Sequence, residues 1–212
     1  MKQKWLRILG GIHCAKPGTV DFYVNDNMGI FIPKEMMDIT QVEHIHQGYE
    51  FVIPLKESFP YKVDNKILAT EPRKIFPLNA KQPHQAVDNN ISNEIVTIFF
   101  EAEFLQGLAE SIYGVKRVNF VNSSFSYDDY LKSLLSAFTE EFNQKQGGYD
   151  FITQSIATQV GVYLLRMVEN NCLAPREAKR YSNKKGINQA IEFIQKTTAE
   201  TFPLKKSHRL LI

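Results

Sequence analysis

The most informative stretch of this chain is residues 44–55, which read HIHQGYEFVIPL. Its aromatic and β-branched residues, closed by Pro54, are typical of a β-strand. Side chains two positions apart lie on the same face of a strand, so His44 and His46 should point to one side. The even spacing leaves Glu50 on that side as well. The pattern predicts a strand that gathers two imidazoles and a carboxylate on one face.

Around this stretch, residues 19–100 form a series of short β-rich runs separated by Pro, Asn, Asp and Gly. Strands at a spacing of about 8 to 12 residues are typical of an antiparallel sandwich or barrel. Residues 63–67, VDNKI, predict the tip of a hairpin. The other runs are TVDFYV (19–24), GIFI (29–32), FPYKV (59–63), ILAT (67–70), IFPL (75–78), HQAV (84–87) and EIVTIFF (94–100).

After Phe100 the apolar residues follow a helical spacing. Residues 101–113, EAEFLQGLAESIY, predict a short amphipathic helix directly after the last strand. Ser126 stands three residues before Asp129, a spacing that resembles a capping box and predicts the start of a second helix. Residues 101–170 are therefore predicted to be a helical region.

The second helix is predicted to end at Gly147-Gly148, and a third to run from about Tyr149 to Asn170. Together they form an αα-hairpin. The third helix is apolar over much of its circumference, so it must bury more than one face. We expect this broad apolar surface to be a homodimer interface, although packing against its own barrel would also bury it.

The end of the chain differs from the rest in charge. Residues 171–212 hold 9 Lys/Arg against 3 Asp/Glu (net +6), whereas residues 1–170 hold 16 against 20 (net −4). Residues 171–186 are polar and basic and contain Pro and Gly, which predicts a linker. Within residues 187–212 one more short helix is predicted, from Ile187, Ala190, Ile191 and Ile194 at helical spacing.

The N-terminal residues 1–18 are predicted to be an irregular arm. Arg7 interrupts their apolar residues well short of a signal-peptide core. No part of the chain approaches the roughly 18 uninterrupted apolar residues of a membrane span. Cys14 and Cys172 are the only cysteines, and so few thiols are typical of a reducing compartment. We therefore expect a cytoplasmic protein without membrane partners.

His84 would complete the polar cluster if a neighbouring strand carries it to the same face. The set His44, His46, Glu50 and His84 then offers three nitrogen donors and one oxygen donor. Such a set suits a divalent transition metal such as Zn, Ni, Fe, Mn or Cu. Three uses stay open from the residues alone: a bound metal, a polar lining for an organic effector, or barrel residues without any ligand.

HIHQGYE (44–50) followed by PLNAKQPHQ (77–85) resembles the two motifs of the cupins, HxHxxxE and a later Pro-containing turn that ends in His. The order of a β-rich segment, a helical hairpin and the helix GINQAIEFIQ (186–195) resembles the AraC-type transcription regulators. The resemblance extends over about residues 19–199.

This resemblance implies an α+β fold, in which an antiparallel cupin-like β-barrel (a double-stranded β-helix) precedes the helical hairpin and a short C-terminal helix. Residues 19–100 would bind a small effector at the four cluster residues, and residues 101–170 would dimerise. Residues 187–212 would be the remnant of the first helix of a helix-turn-helix module. Such a module reads bases through its second helix, so DNA binding would require a full-length parent.

The resemblance implies a sensor that binds its effector without turnover. The alternative is a metal-dependent cupin enzyme of the dioxygenase or isomerase type, in which the same four residues hold a metal. Asp38 and Glu57 stand where the general cupin pattern has glycines, which favours the sensor over the enzyme. A structural dimer with a vestigial site is a third possibility.

Overall fold

The computed structural model describes residue 5 and residues 20–34, 42–87 and 95–172, all within one compact unit of the chain, Met1–Ala174. The predicted arm, apart from Trp5, lies outside the described residues. So do the predicted linker beyond Cys172 and the predicted helix within residues 187–212. No helix in the described part of the chain is long and apolar enough to cross a membrane.

In the described part of the chain eight strands form two antiparallel sheets, and each of the predicted β-rich runs contains one strand. The larger sheet has the order β1-β2-β8-β3-β6 and the smaller one the order β5-β4-β7. The strands are β1 (Val20–Val24), β2 (Met28–Pro33), β3 (Tyr49–Pro54), β4 (Pro60–Val63), β5 (Lys66–Ala69), β6 (Phe76–Leu78), β7 (His84–Ala86) and β8 (Ile95–Phe100).

The strand order is that of a jelly roll. His44 pairs with His84 through an isolated antiparallel bridge, which adds one position to the smaller sheet beside β7. If β2 and the His44 bridge are counted as the first two of eight strands, the sheets read 1-8-3-6 and 2-7-4-5, the order of a double-stranded β-helix. The predicted α+β class and cupin-like architecture are confirmed. In the described residues the sheets face each other and do not close into one hydrogen-bonded barrel.

β3 lies inside the larger sheet, between β8 and β6, and all six of its residues are buried. Tyr49, Phe51 and Ile53 belong to the apolar core shared with the helices. Val52 belongs to the second core, between the two sheets, and Glu50 shares its face. A strand covered on both faces is apolar at nearly every position. This explains why FVIP reads as a continuous apolar run.

The β4–β5 hairpin turns where the sequence predicted it. Val63 pairs with Lys66, so the loop is the two residues Asp64 and Asn65. Their φ angles of 48° and 65° are both positive, as a type I′ turn requires. Asp and Asn tolerate this left-handed backbone better than other non-glycine residues.

Within the described residues three helices follow β8, as predicted for that part of the chain: α1 (Ala102–Tyr113), α2 (Asp129–Gln144) and α3 (Tyr149–Met167). The prediction that Ser126 starts α2 is wrong. The N-cap is Asp128, whose carboxylate accepts hydrogen bonds from the backbone N–H groups of Tyr130 and Leu131 at 3.1 and 3.2 Å. Asp128 has the extended backbone of an N-cap, so its side chain reaches the first free N–H groups.

The ends of the hairpin helices also differ slightly from the prediction. α2 ends at Gln144, where Lys145 takes a left-handed conformation with φ of 47°, three residues before the expected glycine pair. α3 ends at Met167 and not at Asn170, because Val168 returns to an extended backbone. The Asn170 side chain then closes this end by donating to the carbonyls of Leu165 and Val168.

Two helix glycines allow a test of the packing between α1 and α3. A Cβ at Gly161 would lie 2.8 Å from Leu108 Cδ1, whereas a Cβ at Gly107 would meet no atom within 4 Å. Gly161→Val should lower the free energy of unfolding by about 1–3 kcal/mol through overpacking. Gly107→Ala should raise it by about 0.5–1 kcal/mol, because glycine is a poor helix former. Urea denaturation measures both, and a neutral Gly161→Val would contradict the close approach of α1 and α3.

Candidate functional site

The structure brings together all four residues that the sequence singled out. The backbone contacts that position His44 and His46, however, differ from the predicted ones. The prediction that residues 44–55 form one continuous strand is wrong for the first five, because β3 begins only at Tyr49. His44 is fixed by two backbone hydrogen bonds of 3.0 Å to His84. The carbonyl of His46 accepts a 2.6 Å hydrogen bond from the backbone N–H of Lys81. Pairing with the β7 region, and not strand alternation, orients both histidines.

The three imidazoles form a close triangle. The ring centroids are 4.8 Å apart for His44 and His46, 4.5 Å for His44 and His84, and 4.9 Å for His46 and His84. One ligating nitrogen from each ring lies within 4.8 Å of the other two. His46 and His84 are both 1% exposed, and His44 is half-buried. The cluster therefore lies between the sheets and reaches the surface on the His44 side.

Glu50 adds a carboxylate to this triangle from β3. Its Oε2 lies 3.0 Å from His46 Nε2 and 3.4 Å from His84 Nε2. These contacts have the distance of ion pairs but not the direction of hydrogen bonds. As a result Glu50 Oε2, His84 Nε2 and His46 Nδ1 are buried without a hydrogen-bond partner. Each such atom costs about 1–3 kcal/mol, so three together point to a group that binds among them.

Backbone carbonyls fix the tautomers of two of the histidines. His84 Nδ1 lies 2.8 Å from the carbonyl oxygen of Gln82, and His44 Nδ1 lies 2.9 Å from that of Val42. A carbonyl can only accept, so each Nδ1 carries the proton, and in the neutral ring each Nε2 keeps its lone pair. Histidines that bind metals usually have this arrangement, in which the second nitrogen donates to the backbone.

The charges of the cluster depend on one another. Burial opposes ionisation of Glu50, but the positive charge that His46 and His84 can carry outweighs it and holds the pKa of the carboxyl well below its usual range. Burial alone would lower the pKa of His84, but Glu50 outweighs it and raises that pKa. Burial lowers the pKa of His44, and the neighbouring imidazoles lower it further. The cluster thus favours an anionic Glu50 opposite a protonated His84 when nothing else is bound.

Aromatic side chains form the walls of the site, and sequence reasoning missed them. Tyr61 stacks on Phe76 at 5.8 Å, and its ring centroid lies 6.3 Å from that of His84. Burial and the Glu50 charge raise the pKa of Tyr61 well above its usual value, so its hydroxyl stays neutral. The Phe99 ring lies 5.7 Å from His46 and packs with Trp5 in a small apolar cluster. The alternating pattern of β8 could have placed Phe99 on the face that points to the histidines. No sequence pattern around Trp5 indicated that it packs near the site.

The donor set fits a divalent transition metal. Nitrogens bound at about 2.1 Å to a tetrahedral ion lie about 3.4 Å apart, so rotations that bring the imidazoles about 1 Å closer would form the site. One ring nitrogen each from His44, His46 and His84 can supply a ligand, and Glu50 Oε2 lies beside two of these imidazoles. Imidazole and carboxylate together suit Zn, Ni, Fe and Mn, and the residue types do not select among them.

No protein-family model and no curated protein matches this chain. Among solved structures, the AraC-like transcriptional activator CuxR is similar at 12% identity and a TM-score of 0.41, over 82% of this chain and 58% of that one. An RmlC-like cupin protein from Methanocaldococcus jannaschii, described as a double-stranded β-helix, is similar at 15% identity and a TM-score of 0.29, over 42% of this chain and 85% of that one.

A mutant of the oxalate decarboxylase OxdC from Bacillus subtilis is similar at 15% identity and a TM-score of 0.28, over 42% of this chain and 29% of that one. These neighbours include both a regulator and an enzyme. Since all three TM-scores lie below 0.5, the similarities assign no activity to this chain. The function must be argued from the site itself.

The charge coupling leads to a prediction for the metal-free protein. His84 should titrate above pH 6.5 and His44 below it, because Glu50 lies 3.4 Å from the His84 ring whereas burial dominates at His44. A raised pKa stabilises the fold below the unfolded value of about 6.5, and this contribution is lost as the pH rises through the folded value. Glu50→Gln should move the His84 pKa downwards, since burial is then opposed only by the hydrogen bond to the Gln82 carbonyl. NMR titration of the imidazole signals measures this, and an unchanged His84 pKa would contradict the pairing.

Proposed function

We propose that this chain is the effector-sensing and dimerising part of a transcription regulator of the AraC type. In this proposal a small effector, alone or through a divalent metal, occupies the cluster of His44, His46, Glu50 and His84. The observation that carries the proposal is the set of three buried polar atoms that converge between the sheets without a hydrogen-bond partner. A bound group that supplies their missing partners would favour one packing of the domain over others, which is how a sensor responds to its ligand.

A continuous series of hydrogen bonds from the cluster to the helical region supports a sensing role. The Gln82 carbonyl holds His84 Nδ1. The Gln82 side-chain amide exchanges hydrogen bonds of 2.9 and 3.0 Å with Asn122, in the segment between α1 and α2. A ligand that shifts the His84 ring would therefore disturb a residue that lies outside the sheets.

The same segment continues to the end of α3. Asn79 and Phe120 form a reciprocal pair, in which the Asn79 amide donates to the Phe120 carbonyl and its oxygen accepts from the Phe120 N–H. Phe120 in turn pairs with Asn170 through an isolated bridge just beyond α3. From this point the chain continues towards the predicted linker. The contacts thus join the ligand site to the position where a DNA-binding module would be attached.

A second contact reaches the helices from β3. The hydroxyl of Tyr49, the residue before Glu50, donates to the Val118 carbonyl at 2.8 Å and accepts from the Gln106 side chain of α1 at 3.1 Å. Movement of β3 would therefore also act on α1. Two independent routes from one cluster favour a domain whose site and helices respond together.

The proposal is tested by a thermal-shift screen of divalent metals and a collection of small metabolites. At least one compound should stabilise the protein, by about 2.7 kcal/mol at one hundred times its dissociation constant. Glu50→Gln should remove this effect. Glu43→Gln is the matched control, because Glu43 is half exposed and pairs with Lys62. Equal stabilisation of wild type and Glu50→Gln, or no stabilising compound, would contradict the proposal.

The compound found in that screen then tests the response of the helices. Hydrogen exchange should slow in residues 118–125 and 165–172 when it binds, because their backbone contacts lead back to the cluster. Asn122→Ala should reduce this protection while leaving binding in place, since it removes the link to Gln82 and not a cluster residue. Unchanged exchange in these segments on binding would favour a site without a sensing role.

Dimerisation is proposed through the α2–α3 hairpin. Its exposed apolar side chains include Tyr130, Phe151, Ile152 and Met167, of which Phe151 is 83% exposed. Phe151→Glu should shift a micromolar dimer towards monomer in sedimentation equilibrium. The fold should tolerate the change, because an acid suits the first turn of a helix. Ile112→Glu, exposed on α1, is the control and should leave the dimer intact. A monomeric wild type would contradict the proposed interface.

A metal-dependent cupin enzyme is the second candidate, and the donor set of three imidazoles and one carboxylate favours it. A bound ion would act there as a Lewis acid on a coordinated substrate. The residues of the chain would orient that substrate between Tyr61 and Phe99. Incubation of the metal-loaded protein with the compound from the screen separates the candidates. A sensor returns the compound unchanged by mass spectrometry, and an enzyme converts it.

A further inference from the structure

A second cavity lies on the opposite face of the larger sheet, between the sheet and α2, with a volume of about 580 Å³. This volume lies within the range of ligand sites, roughly 300–1,000 Å³. The cavity takes its lining from β2, β3, β8, the segment around Arg73 and α2. The lining includes the apolar side chains of Ile30, Ile53, Val96 and Leu135 and the cationic side chains of Arg73 and Lys132.

This cavity is separate from the histidine cluster. Ile53, on its floor, belongs with Tyr49 and Phe51 to the face of β3 that packs towards the helices. Glu50 points from the same strand into the other layer, towards His46 and His84. The two sites therefore lie on opposite faces of one sheet, and no cluster residue lines the second cavity.

The inner part of the cavity is apolar. Ile30 and Ile53 are almost fully buried at its floor, and Val96 and Leu135 are half-buried on its sides. These four side chains offer no hydrogen bonds to a sugar or a nucleotide base, although the hydroxyl groups of Tyr127, Ser136 and Thr139 also line the cavity. It favours a hydrocarbon or aromatic body, whose burial contributes about 25 cal/mol per Å².

The mouth of the cavity is cationic. Lys56, Arg73 and Lys132 lie in the lining, and none of its described residues is acidic. Lys132 pairs with Asp129 of the same helix, whereas no ion pair with a described residue involves Arg73. The backbone of Arg73 is fixed, because its N–H group donates a 2.6 Å hydrogen bond to the Pro54 carbonyl. This backbone is left-handed, with φ of 58°.

We propose that this cavity binds a small amphipathic anion, with an apolar body of about eight to ten carbons and one acid group. The body fills the space between Ile53 and Leu135, and the acid group pairs with the guanidinium of Arg73. Arginine matches the two oxygens of a carboxylate or sulfonate with two parallel hydrogen bonds, which favours Arg73 over the two lysines as the anchor. This site does not depend on the sensing role proposed for the histidine cluster.

Displacement of anilinonaphthalene sulfonate, a fluorescent amphipathic anion, tests the proposal on the full chain. The dye should bind, and octanoate should displace it. Octanol and octyltrimethylammonium carry the same body without the negative charge, so each should compete at least tenfold more weakly than octanoate. Equal competition by the three compounds would overturn the role of charge, and failure of the dye and octanoate to bind would overturn the site.

Two variants locate the binding. Arg73→Gln should lower the affinity for octanoate by roughly threefold to tenfold, the range expected for the loss of an exposed charge-assisted hydrogen bond. Ser136→Phe, at an exposed α2 position in the lining, should block the cavity without disturbing the core. Lys116→Gln, on an exposed side chain outside the lining, is the matched control. Thermal melts of each variant check that it folds.

Glu50→Gln separates the two sites. It should leave octanoate affinity unchanged, because Glu50 faces the other layer. If Glu50→Gln abolishes octanoate binding while Arg73→Gln and Ser136→Phe do not, the anion occupies the histidine cluster and the second site is overturned. Retention of octanoate binding in Glu50→Gln, with its loss in Ser136→Phe, supports the second site even if the cluster binds no effector.

Discussion

The contact on which the rest of this structure depends is that of the Glu50 carboxylate with the imidazoles of His46 and His84. A carboxylate that is only 7% exposed can stay charged only if opposite charge or hydrogen-bond donors surround it. The two histidines come from different parts of the chain, one before β3 and one at the start of β7. Their meeting with Glu50 therefore joins the two sheets electrostatically. The stability of the layer and the chemistry of the site rest on the same three side chains.

The sequence was sufficient to predict the strands, the helices and the four residues of the histidine cluster. It was not sufficient to predict the contacts that bring these residues together. Every β-rich run contains a strand, because turn residues separate the runs and the runs are rich in β-branched and aromatic residues. The four site residues converge because their spacing is tied to a recognisable pair of motifs. The orientation of His44, however, comes from a bridge to His84, a contact 40 residues away that no local pattern encodes. Ser126 illustrates the same limit at a helix start, since Asp128 was an equally good cap by type and only the backbone conformation chooses between them.

The larger sheet separates two environments that suit different ligands. On one face, polar atoms lack partners and aromatic rings enclose them. On the other, an apolar floor opens towards cationic side chains. Both draw on β3, whose odd-numbered residues face the helices while Glu50 and Val52 face the smaller sheet. This division could not be read from the apolar run itself, because a strand buried on two sides loses the alternation that marks its faces.

The alternation of β3 also determines how the chain tolerates insertions and deletions. Glu50 pairs with Phe99 of β8 and Leu78 of β6, so two neighbours hold its register. A slip by one residue would turn the carboxylate towards the helices and an aromatic ring towards the imidazoles, and both changes are unfavourable. Length changes near Gln47 and Gly48, directly before the strand, would force such a slip, whereas those after Leu55 could be absorbed in the exposed connection to β4. Natural variation in loop length should therefore be uneven along this chain, rare on the amino-terminal side of β3 and common on its carboxyl-terminal side.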